Sequence, residues 1–166
     1  MPVESTTVVT GPLTLSEYTR SELIVPYFGH KDAAGMISQL SQVLQQGGEV
    51  PDVLPFYHAA LNQELLANSG LECGIAFPHA RLSGIRHLQF AFGRAVEPVA
   101  WGARGSWPVE FVFLIAVPAT DAARYLHLLA SLARLGQRPD YLQELRVASG
   151  AEEILRVLGK VTIRQG

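Results

Sequence analysis

The sequence predicts an α/β fold, a mixed β-sheet sandwiched between α-helices. Three observations carry this reading. Segments with helical periodicity alternate along the chain with short apolar runs of strand character, instead of being segregated into blocks. Residues 109–117 are almost continuously apolar, as in a strand buried on both faces. No internal repeat, low-complexity tract or linker divides the 166 residues, a length that suits one domain with a real core.

Residues 1–12 lack clear periodicity and read as a loosely held arm with room for one edge strand. Residues 13–18 suit a short turn, and residues 23–25 a short strand that Pro26 closes. The spacing of Ala33, Met36, Ile37, Leu40, Val43 and Leu44 predicts a helix over 31–46. Asp32 favours its first turn through the helix dipole, and Gly47 with Gly48 stops it. A second helix is predicted over 52–67, with Pro51 and Pro55 confined to its start and Val53, Tyr57, Ala60, Leu61 and Leu65 as its buried face. Asn68-Ser69-Gly70 is a stop signal.

Ile75 to Phe77 suit a strand that ends at Pro78, because proline cannot donate to a ladder. Residues 88–92 and 97–101 read as two separate strands, and 102–107 as turn chemistry before the apolar strand at 109–117. Asp121 opens a helix to Leu135, stopped by Gly136, with Tyr125, Leu129, Leu132 and Ala133 on one face and Ala122 and Leu128 beside it. Shorter helices follow over 139–147 and 151–158, joined at Ser149-Gly150, and 161–163 suit a last strand or ordered tail. The expected organisation is an arm at 1–12, a single domain at 13–160 and a tail at 161–166.

Composition excludes several classes of function. Thirteen basic against fifteen acidic residues give a net charge of −2, which offers no footprint for nucleic acid. The longest apolar run, residues 111–117, is far short of the roughly 20 residues that span a bilayer, so no membrane insertion is expected. The first basic residue is Arg20, which argues against a secretory leader and for a cytoplasmic protein. One cysteine, Cys73, allows no internal disulfide. None of the five histidines falls in a metal-binding pattern, and no P-loop, Gly-x-Gly-x-x-Gly or Gly-x-Ser-x-Gly sequence occurs. No metal and no cofactor are expected.

The stretch that carries chemistry is Gly74-Ile75-Ala76-Phe77-Pro78-His79, followed by Arg81. A short strand halted at Pro78 delivers His79 to its end, where α/β proteins collect ligands. A neutral imidazole held there can act as nucleophile or base, whereas an unanchored one is a solvated loop residue. Cys73, six residues earlier, makes a Cys–His pair conceivable, although a small, partly buried thiol is the simpler reading.

This element resembles the signature of the fructose/mannitol-type IIA domains of the bacterial phosphoenolpyruvate-dependent phosphotransferase system, a group that includes the nitrogen-regulatory IIA paralogues. Gly74 to His79 match the family's Gly-hydrophobic-Ala-hydrophobic-Pro-His at every place. Glu97-Pro98-Val99, Gly102 and the run from Pro108-Val109 to Val117-Pro118 look like its downstream segment, and Leu126 with Leu129 to Ala133 resemble its following helix. The resemblance implies the family's IIA type-2 fold, with His79 at the sheet's edge. It implies a phosphotransferase-type carrier in which His79 accepts a phosphoryl group from a phosphorylated histidine carrier protein. The phosphoryl group would pass to a sugar-transporter B component or remain as a regulatory mark read by a protein target.

Two positions depart from the pattern. The family's arginine falls on Gln63, although Glu64 is retained, and its second histidine falls on Tyr125. His127 stands about 200° around the helix from Tyr125 and does not take over that role, and a buried core position with a polar tip is expected for Tyr125. Arg81 is the nearest cation in sequence and a candidate to replace part of the lost charge. Gln63, Glu64, Arg81 and Tyr125 are therefore the candidates to line the site of His79. Loss of both family helpers also suits a second function, a regulatory binding module that keeps the fold without efficient phosphotransfer.

Overall fold

The computed structural model describes residues 13–30, 32–102 and 107–164. The arm expected at 1–12, most of the turn expected at 102–107 and the last two residues lie outside them. Among the described residues, one mixed sheet holds strands β1 (Ile24–Phe28), β2 (Ile75–Ala76), β3 (His79–Leu82), β4 (Gln89–Ala100) and β5 (Pro108–Pro118). The order is β1-β4-β5-β2, with β3 following β2 along the same side of β5. Only β4 and β5 run antiparallel; the other pairs are parallel.

Helices α1 (Ala33–Gln46) and α2 (Val53–Leu66) cover one face; α3 (Ala122–Leu135), α4 (Pro139–Val147) and α5 (Ala151–Leu158) cover the other. The pleat of β5 divides the core between them. Phe111, Phe113, Ile115 and Val117 join the α3–α5 side, while Val112, Leu114 and Ala116 join the α1–α2 side. Both faces of β5 are thus buried, as its unbroken apolar run requires. Segments 13–15 and 161–163 lie side by side: Leu15 N donates to Val161 O at 3.0 Å and Ile163 N to Leu13 O at 2.8 Å.

Several boundaries differ from the sequence reading for identifiable reasons. Pro26 lies inside β1, tolerated because β1 is an edge strand whose register breaks between Val25 and Phe28. The two strands expected at 88–92 and 97–101 are one strand, β4, kinked by an irregularity between Arg94 and Val99. Asp32 precedes α1 as its N-cap, accepting from Gly35 N at 2.8 Å. The inward row of α2 is Phe56, Ala60 and Glu64, so Leu65 is 72% exposed. In α3, Ala133 is exposed and Leu128, Ser131, Leu132 and Leu135 are buried.

Pro78 interrupts the edge strand without ending it. Ile75 stands opposite Phe111 and His79 opposite Ile115, so the register is the same on either side of the break. The Pro78 carbonyl still accepts from Ile115 N at 2.9 Å. Upstream, Gly74 has φ of 95°, a conformation that favours glycine, and its carbonyl accepts from both Glu110 N and Phe111 N.

Arg94 ties three elements together and was not singled out by the sequence. It is 7% exposed, donates through Nε to Pro26 O at 2.9 Å, and through Nη1 to Leu145 O at 2.9 Å and Ala148 O at 2.6 Å. Its charge thereby meets the carbonyl end of α4, where the helix dipole favours a cation. Arg94→Met, which keeps most of the side-chain bulk, leaves these acceptors unpaired and is expected to cost about 2 kcal/mol. A urea midpoint unchanged from wild type would remove that role.

Candidate functional site

The open edge of the sheet, between α2 and α3, holds a cavity of about 330 Å³. Ala59 and Gln63 of α2, His79 and Arg81 of β3, and Ala122 and Tyr125 of α3 contribute to its wall. Successive strand residues alternate in direction, so His79 and Arg81 share a side while Ala80 turns into the core. The imidazole is half-buried, and the Tyr125 ring lies against it with centroids 5.0 Å apart. Tyr125 thus lines the cavity while its half-buried ring packs on the margin of the core rather than inside it. His127 is not among the residues lining this cavity.

Beneath this wall lies a buried polar network. Glu64, 9% exposed, accepts three hydrogen bonds on Oε1: from Trp101 Nε1 at 2.5 Å, Ser69 N at 2.7 Å and Ser69 Oγ at 3.2 Å. Ser69 Oγ in turn accepts from Phe77 N at 3.0 Å. Phe77 sits at the interruption between β2 and β3, where its amide takes a side-chain acceptor in place of a ladder partner. The network therefore fixes the backbone two residues before His79. Glu64 supports the site from below and does not line the cavity.

Burial holds the His79 imidazole below its ordinary value of 6.5; the Glu64 charge and a hydrogen bond with the Phe77 backbone pull the other way without cancelling it. The ring is neutral at pH 7 and available as a nucleophile. The sign also bears on stability. The unfolded ring protonates near 6.5 and the folded ring only below it, so acidification through that window favours the unfolded chain. An NMR titration should place the His79 midpoint below 6.5, and a midpoint above that value would contradict the burial seen here. Burial also raises the Tyr125 hydroxyl to about 12, so it remains a neutral hydrogen-bond donor near pH 7.

Arg81, in the cavity wall, donates from Nε at 3.0 Å and from Nη2 at 2.5 Å to the Ala119 carbonyl. That tether fixes a guanidinium in the wall shared with His79. The cavity thus joins one neutral imidazole to a cation, a phenol and an amide. Such a set can receive a small anionic group on the ring and surround its oxygens with donors.

Cys73 is remote from this chemistry. Its Sγ packs against Gly136 at the far end of α3, a helix of about 20 Å, while Tyr125 beside His79 lies in the first turn. In the sequence, Ser69 reads only as part of a stop signal and Trp101 only as the end of a strand. The available clue was Glu64, whose spacing from Phe56 and Ala60 places it on the inward row of α2.

The family model described as "Phosphoenolpyruvate-dependent sugar phosphotransferase system, EIIA 2" matches residues 17–161. The chain belongs to this family. Curated relatives include the PTS system fructose-specific EIIABC component of Bacillus subtilis (strain 168), 30% identical over 132 residues. That match covers 78% of this chain and 20% of the relative's length. The nitrogen regulatory protein of Escherichia coli (strain K12) is 28% identical over 159 residues, covering 95% of this chain and 94% of that protein. Among solved structures, the nitrogen regulatory protein IIA-Ntr from Neisseria meningitidis superposes with a TM-score of 0.77 at 26% identity, covering 87% of this chain and 98% of that one. This EIIA-type domain thus shares its mixed α/β architecture and its general phosphotransfer or regulatory class with these relatives. No helix among the described residues is long and apolar enough to cross a membrane.

Proposed function

We propose that this EIIA-type domain is a phosphohistidine carrier of regulatory type, with His79 as the acceptor. The observation that supports it most is the placing of a neutral imidazole, backed by the Glu64–Ser69–Phe77 network, in a cavity walled by Gln63, Arg81 and Tyr125. A ring nitrogen of His79 attacks phosphorus on a phosphorylated histidine carrier protein. The donor's N–P bond breaks as the bond to His79 forms, and the imidazole released on the donor is the leaving group. Catalysis here is positioning and charge stabilisation, the work these wall groups suit.

The phosphoryl group then passes to a sugar-transporter B component or stays as a mark for a protein target. The near full-length match to a nitrogen regulatory protein favours the mark. The proposed body of the domain is 13–160, flanked by the arm and tail, and the proposed location is the cytoplasm.

A second reading, a binding module with impaired transfer, draws on Gln63 and Tyr125, which put two uncharged groups in the wall. One assay separates the two. The purified chain is incubated with phosphorylated histidine carrier protein, alongside His79→Ala and a conventional IIA domain. Acid-labile, alkali-stable label that maps to His79 and disappears in the variant supports the carrier. No label, while the conventional domain is labelled, overturns it and leaves the binding module.

A further inference from the structure

At the opposite end of α3 from His79 lies a cleft of about 300 Å³, between the last turn of α3, the start of α4 and the segment leading to Arg164. We infer that it is a second ligand site, which takes a small anion carrying more than one phosphate-type charge. Arg134, Arg138, Lys160 and Arg164 line it together with Gln137 and Tyr141, and among the described residues no carboxylate side chain is in its wall. The chain as a whole has a net charge of −2, so four of its thirteen basic side chains around one cleft depart from the average surface.

The charge there is incompletely balanced. Arg138 pairs with Asp140 at 2.8 Å and Lys160 with Glu144 at 2.6 Å, two carboxylates at the rim for four cations. Arg134 is held by neutral acceptors instead: Nη2 donates to Ser131 Oγ at 3.0 Å and to Thr162 O at 2.9 Å. Its orientation is thus set while its full charge remains. The Arg138 guanidinium lies over the Tyr141 ring, 4.0 Å from the centroid, and donates through Nε to Asp140 Oδ1 at 3.0 Å and through Nη2 to Asp140 Oδ2 at 2.8 Å, so it too is oriented.

Two oriented guanidinium groups turn their charge and their remaining N–H donors, Nη1 of each among them, toward phosphate oxygens, and the flexible ammonium of Lys160 adds a point charge. The volume suits a small molecule, at the lower end of ordinary ligand pockets. A concave wall of fixed arginines fits a compact anion better than it fits a flat protein surface. Neither the wall nor the ligand class involves His79, so this inference stands apart from the proposed phosphoryl transfer.

Inorganic pyrophosphate is the probe, titrated at low ionic strength into the full chain and followed by amide chemical shifts. The expected result is saturable binding, with shifts centred on 134–141 and 160–164, retained in His79→Ala. Arg138→Gln, an exposed change with little structural consequence, should weaken it at least fivefold, and Arg134→Gln with Arg138→Gln at least twentyfold. Circular dichroism confirms that each variant is folded. Absence of saturation, equal binding by Arg138→Gln, or shifts centred on His79 and lost in His79→Ala would each overturn the assignment. So would equal competition by the same concentration of chloride, which would reduce the cleft to ordinary counterion attraction.

Discussion

Gln63→Arg combined with Tyr125→His speeds phosphoryl transfer to His79 by on the order of 10²-fold. Both side chains already line the cavity of His79, one from α2 and one from α3, and neither carries a charge. The inward row Phe56, Ala60 and Glu64 fixes the rotation of α2, so a longer side chain at 63 extends into the same space. A guanidinium there meets the oxygens of the transferring group as their charge redistributes, in a half-buried setting where such contacts count for more than in water. It also adds a like charge near the imidazole, which lowers the His79 value further and keeps the nucleophile neutral. Rapid-quench transfer from a phosphorylated histidine carrier protein measures the rate. An unchanged rate in the double variant, with label still on His79, would show that the cavity is not limited by missing charge. Arg81→Ala is the complement: if its tethered guanidinium supplies the present charge, its loss slows the wild-type reaction about tenfold or more.

The parts legible in the sequence were those written in local chemistry. The face of α1, the extents of α4 and α5, the stops at Gly47 and Gly136 and the doubly buried β5 all follow from periodicity and turn residues. Elements decided by tertiary partners were not legible. Pro78 reads as a strand end, yet the ladder resumes in register because Ser69 Oγ supplies an acceptor for the Phe77 amide from eight residues away. Glu64 reads as a candidate to line the site of His79, yet it is buried behind the wall because Trp101 and Ser69 bring donors to it across the fold. Tyr125 reads both as a core ring with a polar tip and as a candidate for the site. The edge of the sheet leaves a cavity at that point, so the ring faces His79 while it packs on the margin of the core. Arg94 gave no local signal, since its partners are carbonyls of β1 and of the end of α4, far away in the chain. Hydrophobic pattern specifies which face is buried, but not which buried polar groups find one another.

Glu64→Leu is expected to lower stability by about 3 kcal/mol and to slow phosphorylation of His79 by about 10²-fold. The substitution leaves Trp101 Nε1 and the Ser69 amide facing an apolar group, and each buried donor stripped of its acceptor costs about 1–3 kcal/mol. Trp101 is fully buried, so water cannot readily replace the carboxylate without opening the α1–α2 side of the core. The kinetic effect arises one step further along. Ser69 Oγ loses the acceptor that orients it, and with it the Phe77 amide loses its anchor two residues before His79. A reacting group displaced by about 1 Å can lose about 10²-fold in rate. Two milder variants separate these effects. Glu64→Gln keeps an acceptor oxygen for Trp101 and Ser69 but removes the charge, so the His79 titration moves to lower pH while most of the rate survives. Ser69→Ala keeps the charge and frees the Phe77 amide, so the rate falls while the urea midpoint moves less than in Glu64→Leu. If Ser69→Ala transfers phosphate as fast as wild type, the network stabilises the fold without positioning the imidazole. If Glu64→Leu loses stability but keeps its rate, His79 is held by β3 pairing alone, and the register shared by β2 and β3 is sufficient to place it.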